Sequence, residues 1–185
     1  MVLPPSLSGS GTLLAISYDS TVEIREIESG VLRHTLTHQQ TVEHCAWNGD
    51  DSLLAVGAHD ARIHVWDVAT GQKWAECNGH DSRPAGQEFL PDSGLLLSGS
   101  WDATLRLWSP RTGRPSLVLP VGGDVWVRNS GGAVVSLAHW PELSIRRMRS
   151  PVALRTATLP ARPDDSDVVA QGICFSQDGF AVFTS

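Results

Sequence analysis

Long apolar runs are missing from this sequence. No stretch approaches the roughly 18 residues needed to cross a bilayer, and the opening MVLPPSLSGSG has two prolines and no basic residue where a secretory leader would be basic and then apolar. The expectation is a soluble, cytoplasmic chain with no membrane partner. Basic residues are scarce too: 14 Lys and Arg against 20 Asp and Glu give a net charge of -6, which opposes nucleic acid as the main partner. Cysteine occurs only as Cys45, Cys77 and Cys174, an odd count without a CxxC pair. That excludes a disulfide framework and a zinc ribbon, and it suits a reducing compartment. Sustained helical periodicity is absent, as are the phosphate-binding GxxxxGKS/T loop, the GxSxG elbow, HExxH and the kinase HRD triplet. No cofactor is expected. No metal is expected either: His59 and His64 are five apart, which points them to opposite faces of a strand, and His34 and His38 straddle a strand end.

What is present is a repeat. Seventeen glycines and 11 prolines are scattered between short apolar runs, and 41% of the 185 residues are hydrophobic, enough to bury a core. Three segments align: YDSTVEIREIESG, HDARIHVWDVATG and WDATLRLWSPRTG. Asp19, Asp60 and Asp102 are spaced by 41 and 42 residues, and Gly30, Gly71 and Gly113 repeat those steps. Upstream of each copy stands a turn followed by an apolar run, in which Trp47, Phe89 and Phe175 hold one position with steps of 42 and 86. The double step implies a degenerate copy between Phe89 and Phe175. Each copy reads as strand, turn, strand, rich in Val, Ile, Leu and Thr and bounded by Gly, Asp, Asn and Ser. The chain is therefore expected to be all-β.

A period near 41 with Gly79-His80 and Trp66-Asp67 dipeptides, and remnants at Thr37-His38 and Trp108-Ser109, resembles the WD-repeat β-propeller family. The interspersed DVATG and PRTG turns are similar to those of bacterial WD-repeat proteins. The resemblance implies four-stranded antiparallel blades, about four and a half of them, in an incomplete or open ring. Blade 1 (strands b to d) is placed at 7–38, blade 2 at 39–79, blade 3 at 80–121, a degenerate blade 4 at 122–160, a loop at 160–167 and blade 5 (strands a and b) at 168–185. An isolated blade has two apolar faces and must stack on neighbours to bury them. Unpaired edges at the two ends invite pairing with further strands or with another chain.

Two constellations stand out. His80, Asp102, Trp108 and either Ser98 or Ser100 imitate a hydrolase triad, but the resemblance implies a buried hydrogen-bond network that fixes the blade, and nothing supplies an oxyanion site. Blade 2 keeps His38, Asp60 and Trp66 but has Val56 and Ala58 in place of the serines, so its network is incomplete. Cys45 aligns with Ile173 on an innermost strand and reads as a structural thiol. Just before the turn aspartates stand Tyr18, His59 and Trp101, with Trp140 near that position in the degenerate copy. The resemblance puts them on the rim at the b to c turn, where aromatic anchors give large contact area at low entropic cost. Arg83 is expected on the same face. The basic run Arg146, Arg147 and Arg149 is split between two sides of a strand, which leaves nucleic acid a poor fit.

The expected function is a non-catalytic scaffold that docks other proteins or peptides on its rim. The alternative is a regulatory or substrate-positioning part of a larger enzyme, such as a bacterial serine/threonine kinase. A third possibility is a purely structural fragment that needs further sequence to fold.

Overall fold

The computed structural model describes residues 4–90, 93–121 and 127, and beyond these the backbone of strands at 133–137, 143–147, 155–158, 172–175 and 181–184. Every element among the described residues is a strand. The first sheet comprises β1 (Ser6–Leu7), β2 (Leu13–Tyr18), β3 (Thr21–Glu26) and β4 (Leu32–Thr37) in that order. The second comprises β5 (Val42–Trp47), β6 (Leu53–Ala58), β7 (Arg62–Asp67) and β8 (Lys73–Asn78), and the third β9 (Pro84–Phe89), β10 (Leu96–Ser100), β11 (Thr104–Ser109) and β12 (Arg114–Pro120). A three-stranded sheet follows, β13 (Ala133–Leu137), β14 (Leu143–Arg147) and β15 (Arg155–Thr158), then the pair β16 (Gly172–Phe175) and β17 (Ala181–Thr184). Neighbouring strands within every sheet pair antiparallel. The first blade does not begin at strand b as its sequence suggests: the short β1 pairs Ser6 with Ala15 and Leu7 with Leu14, which supplies an inner strand. Residues 122–126 and 128–132 at the start of the range expected for the fourth blade, the loop at 160–167 and Trp140 lie outside the described residues.

The sheets stack through their faces. Along β6, Leu54 and Val56 join Ala15, Val22, Ile24 and Leu36 of the first blade in one cluster, while Leu53 and Ala55 join Phe89, Leu96 and Trp108 of the third in another. Alternate side chains of a strand point to opposite faces, so one strand seals two interfaces. That explains why the six residues of β6, LLAVGA, are all buried, whereas β2, LLAISY, buries only Ala15 and Ser17 fully. Each fully buried Leu or Val contributes about 1.5–3 kcal/mol, and these interfaces are the core.

Turns of three kinds hold the strands. Gly30, Gly71 and Gly113 occupy equivalent turns between the third and fourth strands at φ of 69°, 68° and 69°, the left-handed region in which a side chain is strained. The turn between β10 and β11 spans Trp101, Asp102 and Ala103, with Ala103 at φ 60°, and that between β6 and β7 places Ala61 at φ 63°. In these two turns the aspartate Oδ1 accepts from a backbone N–H two residues on, Arg62 or Thr104, at 3.1 and 2.9 Å. The first blade differs. Its turn is one residue shorter, Asp19 itself takes positive φ (51°), and its carboxylate accepts instead from the Thr41 hydroxyl at 3.3 Å. The third kind joins neighbouring blades: Asp51, in the turn between β5 and β6, accepts from the N–H groups of Gly9 and Ser10 in the first blade at 2.7 and 2.9 Å.

Candidate functional site: a buried brace beneath an aromatic rim

In the third blade a continuous chain of hydrogen bonds runs through the sheet. Trp108 Nε1 donates to Ser98 Oγ at 2.8 Å, Ser98 Oγ lies 2.7 Å from His80 Nε2, and His80 Nδ1 lies 2.8 Å from Asp102 Oδ2. The ionised carboxylate accepts only, so His80 carries its proton on Nδ1, and the Ser98 hydroxyl donates to the free Nε2. Asp102 also accepts from the Asp81 N–H at 3.0 Å and from Thr104 Oγ1 at 2.6 Å. Burial pushes the Asp102 carboxyl up, but the bonds from Thr104, Asp81 and His80 outweigh it and bring the pKa to about 2. Burial likewise depresses His80, against the opposing pull of Asp102. Every member of the chain is buried or nearly so and has a partner, which is what makes such a network rigidify rather than destabilise. Of the two serine candidates, Ser98 sits in this chain. Ser100 lies two residues along the same face, accepts from the Asp102 N–H at 3.1 Å and donates to the carbonyls of Ser82 and Arg83.

The second blade is wired differently. Val56 stands where Ser98 stands in the third blade, so no hydroxyl separates the rings and Trp66 Nε1 donates directly to His38 Nε2 at 3.1 Å. Asp60 does not reach His38. It pairs with His64 Nε2 at 3.0 Å, and the His64 and His38 rings meet edge to face with centroids 5.1 Å apart. His38 Nδ1 is buried with no hydrogen-bond partner among the described residues. Burial and the neighbouring His64 lower the His38 pKa to about 4. His64 occupies the place that Arg106 has in the third blade, where the guanidinium lies 3.8 Å from Asp102.

Both described cysteines are free thiols. Burial pushes Cys45 to about 11 and Cys77 to about 12, so both stay protonated and unreactive at neutral pH. Among the described residues no cluster of His, Cys, Asp and Glu is arranged to hold a metal ion.

Above the braces, the turns between second and third strands carry the exposed rings. Tyr18 and Trp101 are each 41% exposed, and His59 is exposed between them in the stacking order. Arg83 is not a free loop side chain: its guanidinium lies 4.7 Å over the Trp101 ring, a cation–π distance. Its Nη1 also donates to Glu43 Oε1 at 2.9 Å, and the same oxygen lies 3.0 Å from His59 Nε2. Glu43 thus joins the rims of the second and third blades. Its prominence comes from an irregularity: the β5–β6 register shifts between Val42 and His44, leaving Glu43 unpaired in the ladder, and such bulges re-aim side chains. Trp101, Arg83, Glu43 and His59 form one ledge, while Tyr18 stands apart from it on the first blade and Trp140 is not described.

Hairpin-linked four-stranded sheets, stacked face to face with β1, β5 and β9 innermost, define a β-propeller architecture; among the described residues no sheet closes into a ring. Residues 30–67 and 71–109 match the family model described as WD domain, G-beta repeat. These two segments are similar to WD repeats. The chain is 33% identical over 110 residues to apoptotic protease-activating factor 1 of Danio rerio, covering 58% of this chain and 9% of that protein. It is 30% identical to Protein Rae1 of Drosophila melanogaster over 62% of this chain and 34% of that protein. The crystal structure of the RRP9 WD40 repeats superposes with a TM-score of 0.72 at 17% identity, covering 84% of this chain and 50% of that one, which speaks to fold alone. The chain thus spans about a third or less of these two curated relatives. Both relatives are animal proteins, so the bacterial likeness of the turns rests on the sequence alone.

Proposed function

We propose that this chain is a non-catalytic docking module that receives a protein or peptide on the ledge formed by Trp101, Arg83, Glu43 and His59. The observation that carries this reading is the state of Trp101. Its indole is 41% exposed, yet it is held in place by Arg83 stacked 4.7 Å above it, itself anchored on Glu43. A large ring fixed before binding loses little entropy on docking, which is the property of an interface hot spot. Tyr18 extends the same face on the first blade. The His80–Asp102 pair is read as a brace and not as catalytic machinery, because His80, Ser98 and Trp108 are sealed from solvent. A protein partner is favoured over nucleic acid by the net charge of -6, and a cytoplasmic setting by the cysteine usage.

Photo-crosslinking tests the reading. p-Benzoylphenylalanine in place of Trp101 should capture a discrete partner in the source cells, and the same group in place of Trp74 on the outer strand β8 should not. Equal capture at both positions, or full partner recovery by Trp101→Ala, would remove the rim assignment. A second reading, in which the repeats regulate a larger enzyme, is favoured by the 9% share that the matched region takes of one relative. An antibody against the repeats that detects only a 19.9 kDa band in those cells would end it.

A further inference from the structure

On the face opposite the aromatic rim, where the turns between first and second strands meet those between third and fourth, a groove of about 520 Å³ runs along the seam of the first two blades. That size falls within the roughly 300–1,000 Å³ of ligand clefts. Its floor is apolar: Ile24 is fully buried, Val68 nearly so and Leu13 half-buried. One wall is Ile27, a large aliphatic side chain left 45% exposed, with its N–H bonded to the Thr12 carbonyl at 3.0 Å so that its backbone is fixed. The rim is acidic. Glu26, Glu28 and Asp51 line the groove against a single cation, Arg33, which is already paired with Glu26. Asp51 is locked by the Gly9 and Ser10 N–H groups, and bonds from Ser29 and Arg33 hold the Glu26 carboxyl below its ordinary value. Glu28 is exposed and stands beside Ile27.

An apolar floor within reach of fixed negative charge has a definite complement. We infer that this groove binds a peptide segment carrying one large apolar side chain flanked by lysine or arginine. The apolar side chain displaces water from Ile27, Leu13 and Val68, and the flanking cations meet Glu28 and Asp51. Either feature alone is weak, since exposed ion pairs are screened and a half-open apolar groove holds a single side chain loosely. The two together select for the combination. The groove shares no residue with the Trp101 ledge, so it serves a contact of its own.

The probes are the pentapeptides Lys-Lys-Leu-Lys-Lys and Lys-Lys-Trp-Lys-Lys, with Lys-Lys-Ala-Lys-Lys and Glu-Glu-Leu-Glu-Glu as comparisons, titrated into the 15N-labelled full chain at low salt. The first two should shift the amides of Thr12, Ile27, Glu28 and Ala69 saturably, and the comparisons should bind more weakly. Glu28→Lys should weaken binding about two- to fivefold, the span that exposed ion pairs command, and Trp101→Ala should leave it unchanged. Glu28 is exposed in a turn, so its reversal leaves the fold in place, which the unaffected amides report. The inference is overturned if those amides do not move, if the alanine or glutamate peptide binds equally well, or if the shifts fall on the rim. It is also overturned if the same amides shift with protein concentration alone, which would make a second copy the occupant.

Discussion

Gly30, Gly71 and Gly113 form a matched series in which backbone conformation is constant and surroundings are not. All three lie at φ within one degree of 69°. A Cβ at Gly30 meets nothing within 4 Å, one at Gly71 lies 2.5 Å from His34 Nδ1, and one at Gly113 is driven into the Glu76 carbonyl oxygen of the neighbouring blade. Substituting alanine costs about 1–2 kcal/mol for the left-handed backbone, of which about 0.4–1 kcal/mol is offset by restricting the unfolded chain. Gly30→Ala should therefore lose about 1 kcal/mol. Gly113→Ala adds overpacking of about 1–3 kcal/mol, because a backbone carbonyl cannot swing aside. Gly71→Ala should fall between them, since the imidazole of His34 is able to rotate. Urea unfolding of the full chain, followed by tryptophan fluorescence, measures all three as shifts in midpoint at constant slope. Equal losses across the series would show that blade-to-blade approach at these turns is not what the glycines serve. The reverse order, with Gly30→Ala the worst, would contradict the stacking itself.

Further outcomes follow from the braces and the thiols. Ser98→Ala removes the hydroxyl shared by two rings, leaving Trp108 N–H and His80 Nε2 unpaired in the core, and should cost about 1–3 kcal/mol; Ser100→Ala should cost less, because the groups it serves lie nearer solvent, and thermal melts compare the two. Acid should unfold the chain in two overlapping steps. With a native pKa of about 4 against an ordinary 6.5, His38 binds its proton more readily when unfolded, so stability is flat above 6.5 and falls between there and about 4, by on the order of 3 kcal/mol. The stabilisation from Asp102 is present above its ordinary 3.8 and disappears as pH drops through about 2. Denaturant midpoints of wild type and His38→Asn between pH 4 and 7 check the first step, and a variant with an unchanged pH dependence would refute it. In a Cys174→Ser background, labelling of Cys77 by a thiol reagent at pH 8 should proceed only as fast as the chain opens, given its pKa of about 12.

The repeat was legible because its markers are backbone necessities. Turn aspartates and positive-φ glycines recur wherever the chain reverses, so their spacing phases the blades without knowledge of packing. Which side chains meet across the fold was less accessible. Alternation puts Ser98 and Ser100 on one face, and only the register of β10 against β11 selects Ser98 for the brace. The pairing of Asp60 with His64 instead of His38 goes with a histidine standing where the third blade has Arg106. Glu43 went unread because nothing in VEHCAW announces a bulge. The stacking of Arg83 on Trp101 was out of reach because the two stand 18 residues apart in sequence. The short β1 was hidden behind two prolines, and Asp19 aligned with Asp60 and Asp102 although its turn is one residue shorter.

The uniform burial of β6 has a thermodynamic consequence. In a stack where each unit touches only its neighbours, stability is a sum of unit and interface contributions, and the free energy of opening one unit depends on how many interfaces it breaks. The first blade loses one described interface when it opens. The second loses two, and the side chains that form them alternate along a single strand, so both break when that strand opens. The second blade is therefore the coupling element of this segment. Ala55→Gly weakens contact with the third blade and Val56→Ala with the first, yet both should broaden the same unfolding transition, because each lowers the coupling that makes the blades melt together.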